Sequence, residues 1–236
     1  MNGIHSGANL ASAVVMLAAL AVAWALGRGA KEGLGLPSAQ RLTLSVGAVC
    51  GGFLGAKLPF AAAAGLFSKA AWLSDGRTVL GGLVGGYLGV EAAKALLGLH
   101  LKTGDAFAVP AAAGIGVGRL SCYFARCCYG TPTAMPWGTD FGDGVLRHPA
   151  QLYEMGFHLA AAGALWDLRR RGLFRRQLMK LYILAYLAYR FLSEFIRPEP
   201  RLMGPLTAYQ AAALALAPVF AGLWVLDARP PAAREA

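Results

Sequence analysis

Charge is the scarcest commodity in this chain. Only 14% of its 236 residues are Asp, Glu, Lys or Arg, where a soluble domain carries roughly 25%. Hydrophobic residues make up 57% and the mean hydropathy is +0.51, which together exclude an ordinary soluble domain. Cysteine is also sparse, at four residues, and the spacing of Cys122, Cys127 and Cys128 fits no standard zinc pattern. Zinc there would need His148 to join in. The first residues lack a positive n-region, so no cleavable leader is expected and the first apolar span is expected to be retained.

What is present is a series of long apolar stretches. Seven candidate spans fall at roughly 8–26, 42–64, 79–99, 106–124, 152–168, 178–196 and 206–226. The expected fold is all-α, a polytopic membrane bundle of about seven helices in one membrane domain over residues 1–236, with a small outer loop region near 125–150. Basic residues set its orientation. With the N-terminus outside, one face receives 13 of the 22 Lys and Arg, among them Arg169, Arg170, Arg171, Arg175, Arg176 and Lys180. The opposite face receives 6, and Lys57, Arg119 and Arg190 fall inside spans. The loop from Arg169 to Lys180 is therefore expected in the cytoplasm, as is the C-terminus, and the 125–150 and 197–205 segments outside. The net charge of +10 is explained by this bias, and no nucleic-acid partner is expected.

Small residues repeat at every fourth position: Gly47, Gly51 and Gly55 in one span, Gly81, Gly85 and Gly89 in the next. Such spacing lets helix backbones approach closely where lipid supplies no hydrophobic drive. The other use of Gly81 and Gly82 is to leave room for an acyl chain or headgroup. Between Tyr129 and His148, Pro and Gly are dense enough to predict turns rather than a span, with Trp137 at the membrane interface.

Three polar blocks abut membrane-length segments, where desolvation is expensive and polar groups usually serve a function. The most informative is Arg147-His148-Pro149-Ala150-Gln151-Leu152-Tyr153-Glu154. A second runs from Gly118-Arg119 through Cys122 to Cys127-Cys128-Tyr129-Gly130. The third places Tyr186, Arg190, Glu194 and Arg197 at intervals that put all four on one helical face. Arg190 and Glu194 form either a simple pair or a grip on a lipid phosphate. Arg119 and Arg190 are expected to line one outward-open cavity, with Glu154, Glu194 or a phosphodiester between them. His148 leads the candidates for a base, followed by Tyr153, Glu154 and His5, and His158 is placed to orient Glu154. Cys50 reads as a packing residue; the other three cysteines read as structural, disulfide-forming or reactive.

These blocks resemble the prolipoprotein diacylglyceryl transferase family. Gly118-Arg119 with Gly130 is similar to its signature segment, and Arg147 to Glu154 to its second motif. Tyr186, Arg190, Glu194 and Arg197-Pro198 match a third, and Gly81-Gly82-Leu83-Val84-Gly85 the glycine segment opening its third helix. The resemblance implies an enzyme of the bacterial inner membrane, multi-pass and active in lipoprotein biosynthesis. It would move the diacylglyceryl group of phosphatidylglycerol onto the lipobox cysteine in the signal-peptide region of prolipoproteins. It implies Arg119 and Arg190 as catalytic, with His148 taken as the catalytic base from the candidates above, and Gly81, Gly82, Gly130, Gln151, Tyr153, Glu154, Tyr186, Glu194 and Arg197 binding substrate. No metal or organic cofactor is implied. The chain departs from the family at Leu80, where a histidine thought to act as base is expected. It departs again at Cys122 for an asparagine, at Cys127 for an acidic residue, and before Gly7, where a tyrosine is usual. Two classes therefore stand: a lipid-dependent transferase, or a phospholipid-binding membrane protein of the same fold with altered specificity or no chemistry. A transporter is disfavoured because the polar groups gather at one face.

Overall fold

The structure, a computed structural model, describes residues 3–64, 69, 72 and 76–228, with 3–9, 63–64 and 202–203 described by backbone alone. Seven α-helices account for most of them: α1 (Gly3–Glu32), α2 (Ser38–Ala64), α3 (Val79–Leu96), α4 (Gly104–Phe124), α5 (Ala150–Arg170), α6 (Leu178–Ser193) and α7 (Ala208–Ala228). The fold is an all-α membrane bundle. Five of the helices are long and apolar enough to cross a membrane. The two that fall short are α5, which carries Glu154, His158, Asp167, Arg169 and Arg170, and α6, which has 16 residues and includes Lys180 and Arg190. Polar side chains thus concentrate on this pair, and Glu154, His158, Lys180 and Arg190 among them are buried.

Helix ends follow local chemistry. Thr78 caps α3 by accepting the Gly81 N–H at 3.0 Å. At the other end Gly98 takes φ +62, and the Leu99 N–H returns to the Lys94 carbonyl at 2.9 Å, so α3 stops at Leu96 before the apolar run does. Helix α6 tightens into a 3-10 turn over Glu194–Ile196, and Arg197 is extended at φ −111, ψ 146. Pro198 imposes this, since the residue before proline avoids helical geometry. Arg197 is therefore off the helical face shared by Tyr186 and Arg190, contrary to the expectation from spacing.

The chain divides into two units, Gly29–Ala106 and the remainder. In the first, α2 and α3 pack backbone to backbone. A Cβ on Gly47 would sit 2.6 Å from the Gly89 carbonyl oxygen, and one on Gly85 would sit 2.8 Å from the Gly55 Cα. Gly81 faces Gly55 in the same seam, and Gly82 lies beside Gly52 and Ala56. Close packing accounts for the fourfold spacing. Cys50 on α2 is exposed rather than packed in the core.

In the second unit α1 lies against α4, where Ala23 meets Gly114 and the Ser12 hydroxyl donates to the Ser121 carbonyl at 3.0 Å. Gly116 admits Leu159 and His158 of α5. Lys180 of α6 pairs with Asp227 of α7, and the Gln210 amide on α7 donates to the Phe191 carbonyl at 3.4 Å. Between α4 and α5, the short strands β1 (Thr139–Asp140) and β2 (Leu146–Arg147) pair antiparallel. Asp140 Oδ1 closes their turn by accepting the N–H groups of Gly142, Asp143 and Gly144. Before α7, β3 (Arg201–Met203) pairs with β4 (Leu206–Thr207).

Candidate functional site

Helix α5 begins directly after Pro149, and its early residues divide by period. Gln151, Glu154 and His158 recur on one buried face, whereas Tyr153 points to the loop side. Helix α6 answers with Tyr182, Tyr186 and Arg190, spaced four apart and all buried. The His158 ring sits between the two tyrosines, with centroids 5.8 Å from Tyr182 and 4.9 Å from Tyr186. Its Nδ1 lies 2.8 Å from the Tyr182 hydroxyl and its Nε2 3.7 Å from Glu154 Oε1.

Glu154 is the hub. Tyr186 donates its hydroxyl to Oε1 at 2.7 Å, and Arg119 Nη2 of α4 stands 3.0 Å from Oε2. Arg190 acts electrostatically on the same carboxylate. Its guanidinium is itself 2.9 Å from Glu194 and lies over the Tyr209 ring at 4.1 Å. Arg119 and Arg190 thus belong to one polar cluster, with Glu154 and Tyr186 joining them. Both are buried, so removing either partner would strand a charge, which costs about 3–5 kcal/mol.

The donors are not all used. The buried Nε–H groups of Arg119 and Arg197 have no hydrogen-bond partner among the described residues. Arg197 spends other nitrogens on the Cys128 carbonyl at 3.4 Å and on Glu199 at 3.6 Å. Arg119 Nη1 reaches the Cys122 sulfur at 3.5 Å.

The loop after α4 is fastened to this cluster. Gln151 Nε2 donates to the Cys127 carbonyl at 2.6 Å. Gly130 lies where three segments cross: its N–H donates to the His148 carbonyl at 2.8 Å, and Thr131 N–H donates to the Ile196 carbonyl at 2.8 Å. A Cβ on Gly130 would come within 2.5 Å of the Ile196 oxygen and 2.8 Å of the His148 Cβ. Only glycine allows that crossing, which holds His148 and the approach to Arg197 together. His148 is half-buried, with Nδ1 3.2 Å from the Tyr153 hydroxyl, and that hydroxyl accepts from Trp137 Nε1 at 2.7 Å. Arg147, by contrast, faces the loop, paired with Asp143 at 2.6 Å and stacked over Tyr129. That pairing holds the Asp143 carboxyl below its usual range, and the Gly142 N–H does the same for Asp140.

The Cys128 thiol is pulled below its ordinary value by its hydrogen bonding with Cys122 and Cys127, with the charges of Arg119 and Arg197 adding to the effect. Cys127 is pushed up by its bonds to Cys122 and Cys128. None of the four cysteines is in a disulfide.

Gly81 and Gly82 lie in the α2–α3 seam of the other unit. The side chain of His5 lies outside the described residues. Sequence spacing missed Tyr182 and Tyr209. Tyr182 sits one turn before Tyr186, a signal that was available. Tyr209 opens an otherwise apolar helix with nothing to link it to Arg190.

The family model for prolipoprotein diacylglyceryl transferase matches residues 11–226. The chain is similar to proteins named phosphatidylglycerol–prolipoprotein diacylglyceryl transferase in several bacteria. It is 34% identical to that of Bordetella parapertussis over 126 residues, covering 50% of this chain and 48% of the relative. The figures for Nitrosospira multiformis are 35% over 132 residues, 52% and 46%. For Bordetella avium they are 32% over 163 residues, 65% and 62%. The chain spans about half the length of the first two of these curated relatives.

Proposed function

The chain belongs to the prolipoprotein diacylglyceryl transferase family, and from that premise we propose that it transfers the diacylglyceryl group of phosphatidylglycerol to a prolipoprotein. The acceptor is the lipobox cysteine thiol next to the signal peptide. One observation carries the proposal: Arg119 and Arg197 each keep a buried N–H that no described residue accepts. Buried donors are rarely left so. A phosphodiester oxygen is the acceptor that suits a planar guanidinium fork in lipid.

In the reaction the acceptor sulfur forms a C–S bond to the glyceryl carbon as that carbon's C–O bond to phosphate breaks. The electron pair leaves with glycerol phosphate, whose growing charge Arg119 and Arg190 stabilise. The thiol proton passes to a base, for which His148 is our choice: it is half-buried, and its ring nitrogen is oriented by Tyr153. Glu154 is already committed to Arg119 and Tyr186. With Gln151, Glu194 and Gly130 it acts here as a positioning residue. Gly81 and Gly82 belong to the α2–α3 seam and hold that helix pair. Leu80, buried at the start of α3, favours a second reading, in which the protein binds phospholipid without transferring it.

Incubation of the purified protein with labelled phosphatidylglycerol and a lipobox peptide tests this. A labelled thioether peptide is expected. Bound phospholipid with no thioether product would give the case to the second reading. The protein is a multi-pass membrane protein, placed in this proposal in the bacterial cytoplasmic membrane with the N-terminus outside and the C-terminus in the cytoplasm. Reporters fused after Arg171 and after Thr133 are expected on opposite sides, and the same side for both would overturn the orientation.

A further inference from the structure

Three thiols outside the Glu154 hub meet at the end of α4, Cys122 in its last turn and Cys127 and Cys128 in the loop after it. The Sγ atoms of Cys122, Cys127 and Cys128 all lie within 4.8 Å of one another, and those of Cys127 and Cys128 are 3.6 Å apart. No other three His, Cys, Asp or Glu side chains converge in this way among the described residues. Thiolates bound at about 2.3 Å to a tetrahedral ion stand about 3.8 Å apart. One edge of the trio is already at ligand spacing, and the others close with about 1 Å of movement or less.

The loop holds this shape through contacts of its own. Cys127 N–H donates to the Cys122 carbonyl at 3.1 Å, Gln151 to the Cys127 carbonyl, and Arg197 to the Cys128 carbonyl. Arg126 and Cys128 take left-handed backbone, φ 53 and φ 62. Non-glycine residues keep that conformation only where their surroundings over-determine it. The chain thereby folds Cys127 and Cys128 back on Cys122.

Three thiolates and a divalent ion carry a net charge of −1. Arg119, with Nη1 3.5 Å from the Cys122 sulfur, and Arg197, with Nη1 3.4 Å from the Cys128 carbonyl, offset it. A donor set of sulfur alone selects soft or borderline ions and not magnesium or calcium. We propose that Cys122, Cys127 and Cys128 bind one thiophilic metal ion of the zinc, cadmium or copper(I) class. The three thiol protons are released on binding, and a fourth position stays open to water or an exogenous ligand. The site stands on its own donors and does not require the transferase activity.

The test uses the full chain, purified in detergent with reductant, stripped by a chelator and titrated with Cd²⁺. Bound metal is read by elemental analysis and by sulfur-to-cadmium charge-transfer absorbance, and free thiols by a chromogenic reagent. One Cd²⁺ per chain is expected, with Cys50 left reactive, the other three thiols protected, and Zn²⁺ but not Mg²⁺ competing. Cys127→Ser is expected to weaken binding at least about 100-fold, the upper end of what losing even an outer partner costs, and Cys50→Ser to leave it unchanged. A folded, reduced wild-type chain whose four thiols all react in excess Cd²⁺ overturns the site. So does a Cys127→Ser variant that binds as tightly. The wild-type measurement decides the matter even where a variant fails to fold.

Discussion

Between α2 and α3, the glycines at positions 51 and 85 bring backbone against backbone with no side chain in the gap. Between α5 and α6, the space is filled by Glu154, His158, Tyr182 and Tyr186, with Arg119 of α4 closing one side. Both arrangements join helices where the surrounding lipid gives apolar side chains no reason to associate. The first relies on close dispersion contact and offers no reactive group. The second buries polar groups that are tolerable because most of them pair with one another, while the Arg119 Nε–H is left without an acceptor among the described residues. A chain that needed only adhesion could have used glycine twice. That it accepts a buried polar cluster on α4, α5 and α6 is the physical reason for placing its chemistry there.

The contrast yields predictions of decreasing size. His148→Ala is expected to lower turnover about 10²–10⁴-fold, the range for a general base, as measured by thioether formation. Full turnover in that variant would remove His148 from the base role. Arg119→Met is expected to cut turnover about 10²–10³-fold and to destabilise the protein by about 3–5 kcal/mol, because Glu154 is left buried and unpaired. Adding Glu154→Met should then restore most of the stability and none of the turnover, read by chemical unfolding alongside the assay. Recovery of both would make the cluster adhesive only, like the glycine seam. Gly85→Ala is expected to destabilise the α2–α3 pair by about 1–3 kcal/mol, since its Cβ would enter the space of Gly51 and Gly55. Turnover per folded molecule should stay unchanged. A specific loss of turnover there would bring the seam into the chemistry.

Much of this comparison was legible beforehand. The fourfold glycine spacing predicts the seam because close approach has a simple periodic signature. The helices at 150–170 and 178–193 coincide closely with apolar runs, and Tyr186 with Arg190 follows from period alone. What the sequence withheld was partnership between distant segments. Glu154 was one of three possible anions for Arg119, and nothing local selects it. The Trp137–Tyr153–His148 chain depends on a loop whose path is set by the Asp140 turn and the Gly130 crossing. Arg197 was misplaced because the helical period was extended through a residue that Pro198 forces out of the helix. The cysteines at 122, 127 and 128 read as structural, disulfide-forming or reactive thiols in a spacing that fits no zinc pattern, because nothing local shows the left-handed turns at Arg126 and Cys128 that fold them together.

The central claim is that the Arg119 guanidinium grips a phosphate as well as pairing with Glu154. Arg119→Lys tests it most directly, because lysine keeps the positive charge for the carboxylate and loses the planar fork of donors. The measurement is turnover of labelled phosphatidylglycerol together with unfolding stability on the same purified preparation. The account predicts a folded protein close to wild-type stability whose turnover falls by at least about 10²-fold. Wild-type turnover with lysine at position 119 would contradict it.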